Sequence, residues 1–133
     1  MFKTILFPLD QSQGTRQAAE MVVAMVKQYS SRLILLSVVE LPSEEGAGNM
    51  SSTEAVEQLL AGAKKLFAEQ GITAEVVERE GMPSFTICDV ADEKSVNLII
   101  MGCSGTGLTA EGAAESVTNR VINLSPCPVL VVP

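Results

Sequence analysis

Asn97-Leu98-Ile99-Ile100-Met101-Gly102-Cys103-Ser104-Gly105-Thr106-Gly107 sets an unbroken apolar run directly against a glycine-rich turn. A strand without polar alternation is one covered on both faces, as in a parallel sheet. Outward from this stretch lie four further strand candidates: Thr4 to Leu9, Arg32 to Val39, Ala74 to Glu78, and Val129 to Val132. Of these, Ala74 to Glu78 alternates like a half-exposed strand. Helical spacing fills the gaps. Ala19, Val22, Val23, Val26 and Tyr29 mark a helix over Thr15 to Tyr29. Ser51 and Glu54 form a capping-box signature ahead of Val56, Leu59, Leu60, Ala63 and Phe67, and Gln70-Gly71 closes that helix. Pro83-Ser84 opens a short helix through Ile87, Val90 and Ala91. A last helix runs from about Gly112 to Leu124, and Pro126 and Pro128 stop it. Alternating strands and helices imply βαβ units, a parallel sheet and right-handed crossovers. The stretch Leu41 to Ser52 reads as a surface loop.

A chain of 133 residues, nearly half of them apolar, suits one domain over 1–133. The opening Met1-Phe2-Lys3-Thr4-Ile5-Leu6 enters a strand pattern at once, so no signal peptide is expected. No apolar run reaches the roughly 18 residues of a membrane helix. A cytoplasmic protein is the expectation. The net charge of −7 repels nucleic-acid backbones and anionic membranes. Histidine is absent, which removes Ser-His and Cys-His nucleophile pairs and histidine bases or metal ligands. Cys88, Cys103 and Cys127 fit neither a disulfide framework nor a metal pattern. They read as small apolar filler. Cys103 also admits a redox reading, because a thiol among backbone amides near a helix start can have a lowered pKa.

In an open parallel sheet, ligands bind beyond the carboxyl ends of strands where the strand order reverses. Three segments follow such ends: Asp10-Gln11-Ser12-Gln13-Gly14, Glu40-Leu41-Pro42 and the run from Gly102 to Gly107. The last has the composition of a phosphate cradle. Its glycines allow close backbone approach, and successive amides can hold an anion. It is neither a Walker loop nor a dinucleotide fingerprint. A plain turn between strand and helix is the competing reading. Asp10 can accept hydrogen bonds from a ribose hydroxyl or a base amine, or can instead cap the first helix. Glu40 reads as a surface residue.

These residues resemble the universal stress proteins over essentially the whole chain. Lys3-Thr4-Ile5-Leu6-Phe7-Pro8-Leu9-Asp10-Gln11-Ser12 looks like that family's first strand, ending in Asp-x-Ser. Ser37-Val38-Val39 looks like its second-strand ending, and Glu80-Gly81-Met82-Pro83 is similar to its Gly-x-Pro. Ser125-Pro126-Cys127-Pro128-Val129-Leu130-Val131-Val132 is the most specific piece. The resemblance implies an α/β fold of the adenine nucleotide alpha hydrolase-like kind. It carries a single open five-stranded parallel sheet in order 3-2-1-4-5, helices on both faces, and usually a homodimer. Val129, Leu130, Val131 and Val132 would then form a sheet edge open to pairing with a second copy.

The resemblance further implies two classes, one binding ATP or AMP and one without nucleotide. The binding class carries Gly, two residues, Gly, nine residues, then Gly-Ser or Gly-Thr. Here Gly102 and Gly105 match, Glu115 stands where glycine is wanted, and Ser116 matches again. Two like charges about 4 Å apart repel by roughly 4 kcal/mol at an effective dielectric near 20, about three decades of affinity as an upper limit. No lysine or arginine lies between Gly102 and Ser116 to offset this, although a divalent cation would. Asp10 and Val38 match the positions that touch ribose and base, and Ser104 adds a hydroxyl donor. The expectation is a stress-response regulator without enzymatic activity, a homodimer with a degenerate adenine-nucleotide pocket. It requires no cofactor and takes neither nucleic acid nor membrane as partner. The alternative is an ATP- or AMP-binding switch, at most a slow ATPase.

Overall fold

The computed structural model describes residues 1–10, 13–40, 53–102 and 110–133; along 13–14 and 110–116 it describes the backbone alone. Within these, strands and helices alternate as β1 (Thr4–Pro8), α1 (Gln13–Tyr29), β2 (Arg32–Glu40), α2 (Thr53–Glu69), β3 (Ala74–Gly81), α3 (Pro83–Glu93), β4 (Leu98–Gly102), α4 (Ala110–Leu124) and β5 (Val129–Val132). The five strands form one parallel sheet in the order β3-β2-β1-β4-β5, as the sequence led us to expect.

The two sheet faces sort by residue parity. Ile5, Phe7, Leu33, Leu35, Leu98 and Ile100 point to a core closed by α1 and α2, through Ala18, Val22, Val56, Leu60 and Phe67. Leu6, Ile34, Leu36, Val38, Ile99 and Met101 point to a second core closed by α3 and α4, through Ile87, Val90 and Val121. Burial of each large apolar side chain contributes about 1.5–3 kcal/mol. Edge-to-face packing of Phe7 on Phe67, centroids 6.1 Å apart, ties α2 to the central strand.

Chain reversals follow local chemistry. Gly71 closes α2 at φ +79, where its N–H donates to the Ala68 carbonyl. Pro83 occupies the first turn of α3, where its missing N–H costs nothing. Element bounds differ from the sequence reading in a few places. β3 runs on to Gly81, because β2 offers partners as far as Glu40. β1 ends at Pro8, although the Leu9 N–H still donates to the Leu36 carbonyl at 2.7 Å. α1 begins at Gln13 and α4 at Ala110, each about one half-turn early. The capping box at Ser51 and the loop Leu41 to Ser52 lie outside the described residues. Among the described residues, no helix is long and apolar enough to cross a membrane.

Candidate functional site

β1 lies between β2 and β4, so the strand order reverses at the β1–β4 seam. The β1–β4 register pairs are Ile5↔Leu98 and Leu6↔Ile99. Both strands run on, β1 to Pro8 and β4 to Gly102, beyond that short ladder. Pro8 has no N–H to give. The carboxyl ends of β1 and β4 therefore mark the switch point beside which this class of sheet takes its ligands.

Three of the residues singled out in the sequence lie toward the carboxyl ends of the adjacent strands β2, β1 and β4. Asp10 follows β1 and is exposed. Its Oδ1 accepts a hydrogen bond from the Thr15 hydroxyl at 2.7 Å, and its N–H donates to Thr15 Oγ1 at 3.4 Å. Asp10 is thus tied to the first turn of α1, which agrees with a helix-start role without excluding a ligand. Val38 is buried near the end of β2, 7% exposed, in register with Arg79. Gly102 closes β4 opposite Val132. Ser104, Gly105 and Cys103 lie outside the described residues, and so do the side chains of Glu115 and Ser116 on α4. Glu40, read as a surface residue, is partly buried as the last residue of β2 and stands opposite Gly81. Val129 to Val132 form the edge strand β5, each partly buried.

Two site-adjacent residues escaped the sequence reading. Ser37 is 1% exposed, and its hydroxyl donates to the Leu9 carbonyl at 3.3 Å. Thr15 is the partner of Asp10. A lone hydroxyl inside the apolar run Leu33 to Val39 was the available signal, since a buried polar group needs a partner.

A separate groove of about 1170 Å³ runs between α1 and α2, with Phe7, Leu9 and Phe67 among its lining. Asp10 and Thr15 also border it, whereas Val38 and Gly102 do not. A cluster of charged side chains sits at the opposite end of the sheet. Arg32 pairs with Glu75, and Lys94 reaches the same carboxylate at 3.4 Å. The hydrogen bond from Arg32 holds the Glu75 carboxyl below its ordinary pKa. Burial pushes the thiols of Cys88 and Cys127 up. Among the described residues, no group of three His, Cys, Asp or Glu side chains is placed to hold a metal ion.

Comparison with known proteins agrees with this architecture. The family model for the universal stress protein family matches residues 1–133. A universal stress protein of Synechocystis sp. is 63% identical over 136 aligned residues, covering 100% of this chain and 87% of that protein. The solved structure of a Methanocaldococcus jannaschii protein, whose biochemical function was assigned from structure, superposes with a TM-score of 0.80. It is 30% identical, over 99% of this chain and 96% of that one. An Arabidopsis thaliana universal stress protein family member with AMP bound shares the fold at 17% identity and a TM-score of 0.75, over 98% of this chain and 90% of its own. Other neighbours in fold are a universal stress protein in complex with cAMP and one from Archaeoglobus fulgidus with dAMP, at 21% and 20% identity and TM-scores of 0.76 and 0.69. On the family model and the Synechocystis relative together, the chain belongs to the universal stress protein family.

Proposed function

We propose that the chain is a stress-response regulator whose β1–β4 crevice takes the adenosine part of an adenine nucleotide and holds the phosphates weakly. The observation that supports this reading is that Asp10 follows β1, Val38 lies near the end of β2 and Gly102 ends β4, all toward the carboxyl ends of adjacent strands. Asp10 supplies acceptors for ribose hydroxyls or a base amine. Val38 supplies an apolar surface for a base. Neighbours in fold that hold AMP, cAMP and dAMP support an adenine ligand. Weak phosphate binding rests on the sequence pattern, where Glu115 replaces the glycine and no lysine or arginine lies between Gly102 and Ser116. In this reading the protein regulates without turning a substrate over.

The working unit is a homodimer paired through β5. The two sheet edges differ in a way that supports this. β3 carries Glu78, Arg79 and Glu80, charges that discourage edge pairing, whereas Val129-Leu130-Val131-Val132 carries none. A strict monomer in sedimentation at micromolar concentration would refute the dimer.

Calorimetric titration with adenosine, AMP and ATP, with and without magnesium, tests the pocket. Comparable affinities for all three are the expected result. ATP binding more than about a hundredfold tighter than adenosine would instead favour a second reading, an ATP-binding switch with intact phosphate contacts. Adenine nucleotides in the neighbouring structures keep that second reading in view.

A further inference from the structure

We infer that Ser37 and Thr15 are positioning residues for Asp10, one acting on each side of a single peptide group. The inference rests on reading Asp10 as a nucleoside contact and extends it to residues outside the pocket. The Leu9 carbonyl and the Asp10 N–H belong to the same planar peptide and point in opposite directions. Ser37 donates to that carbonyl at 3.3 Å. Thr15 Oγ1 accepts from that N–H at 3.4 Å and donates to Asp10 Oδ1 at 2.7 Å. The orientation of the plane that launches the Asp10 side chain is therefore held from both sides.

The position of Ser37 explains why a hydroxyl is needed. The β1–β2 register runs from Thr4↔Arg32 to Pro8↔Leu36. One further bond, from the Leu9 N–H to the Leu36 carbonyl at 2.7 Å, continues the ladder. In a continued parallel ladder, the next donor to the Leu9 carbonyl would be the Val38 N–H. Ser37 presents a side-chain donor to that carbonyl at the point where the register ends. Ser37 is 1% exposed and sits between Leu36 and Val38, so an apolar side chain would satisfy burial equally well. Its hydroxyl has a specific task in aiming the Leu9–Asp10 peptide. Thr15 fixes the carboxylate itself.

The test uses the full chain and the variants Ser37→Ala, Thr15→Val, Asp10→Ala and the double variant Asp10→Ala/Ser37→Ala, titrated with adenosine and AMP. Each single loss of a hydroxyl is expected to weaken both ligands by the same factor, about fivefold for one hydrogen bond. In the Asp10→Ala background, Ser37→Ala is expected to have no further effect on affinity, a non-additivity that loss of stability alone would not produce. Unchanged affinity in folded Ser37→Ala and Thr15→Val, with the parent chain binding normally, would overturn the positioning role and leave the pocket reading standing. If the parent chain binds neither ligand, the pocket reading is the one that falls. Carboxyl-carbon NMR of the ligand-free chains then decides the positioning itself. A displaced Asp10 resonance in Ser37→Ala supports it, and an unmoved one overturns it.

Discussion

A Cβ built on Gly81 would lie 2.8 Å from the Thr86 hydroxyl oxygen. Gly81 also has φ +152, in the range that glycine adopts and other residues avoid. It ends β3, faces Glu40 across the ladder and turns the chain into α3 through Met82 and Pro83. Gly81→Ala therefore meets backbone strain and a close contact together. The expected cost is about 1–3 kcal/mol, a fall in Tm of roughly 3–10 °C. Adding Thr86→Ala should restore the contact part and leave the strain part. Full recovery in the double variant would show that backbone strain plays no role.

Phe67 is 3% exposed and packs edge-on against Phe7. Phe67→Ala opens a void beside the central strand and loosens α2. A cost of about 3–5 kcal/mol is expected, read as a lower urea midpoint in an unfolding titration. A loss under about 1 kcal/mol would mean that the neighbouring groove collapses to fill the space.

The Glu75 carboxyl is held below its ordinary pKa, chiefly by Arg32 and then by Lys94, against the opposing effect of burial. A lowered folded pKa gives stability that is present above the unfolded value and lost as pH falls through the folded one. Glu75→Gln should thus lower Tm at pH 7 and have no effect once acid has protonated the native carboxylate. The Arg32 and Glu75 side chains are 52% and 35% exposed, so the neutral-pH loss stays at about 1 kcal/mol or less and shrinks in high salt. A difference that grows toward acid pH would contradict this account.

Cys88 and Cys127 both have thiols pushed up by burial, with Asp89 adding to the effect at Cys88. Less thiolate at neutral pH means slow attack on disulfide reagents. In native Cys103→Ser, both remaining thiols should react slowly and become fast on unfolding. The parent chain then shows whether Cys103 alone reacts quickly, as a redox sensor must. A slow Cys103 would end that idea.

Glu115→Gly restores the glycine that the nucleotide-binding pattern calls for. ATP and AMP affinity should rise, by up to about three decades for ATP if the full like-charge repulsion is removed, while adenosine affinity stays level. Equal affinity for ATP before and after would show that Glu115 does not face the phosphates.

Much of the fold was legible because buried parallel strands announce themselves. Leu33 to Leu36 and Leu98 to Met101 are fully apolar, and their burial follows. The far end of β3 was not legible. Arg79, Glu80 and Gly81 follow the strand candidate that ends at Glu78, and only pairing with β2 makes them strand. The site divides similarly. Asp10, Val38 and Gly102 could be placed from strand ends and from resemblance. Ser37 and Thr15 could not, since the partner of Ser37 is 28 residues away and its role exists only when β1 and β2 lie side by side. The resemblance also pointed to Glu115, which no periodicity would have marked.

The Asn97 side chain accepts a hydrogen bond from the Thr4 N–H, and the Asn97 N–H donates to the Thr4 carbonyl, across 93 residues of chain. β1, which precedes the other four strands in the sequence, is thus the middle of the sheet, and its β4 flank is supplied from 93 residues further along the chain. β1, β2 and β3 can associate early, but they present the β4 side of β1 as an open template until then. The nascent chain consequently passes through an interval of exposed backbone at the very seam where the crevice will form. Closing that seam needs a segment distant in the chain, so the β1–β4 pairing is the costliest contact of the sheet in loop-closure entropy.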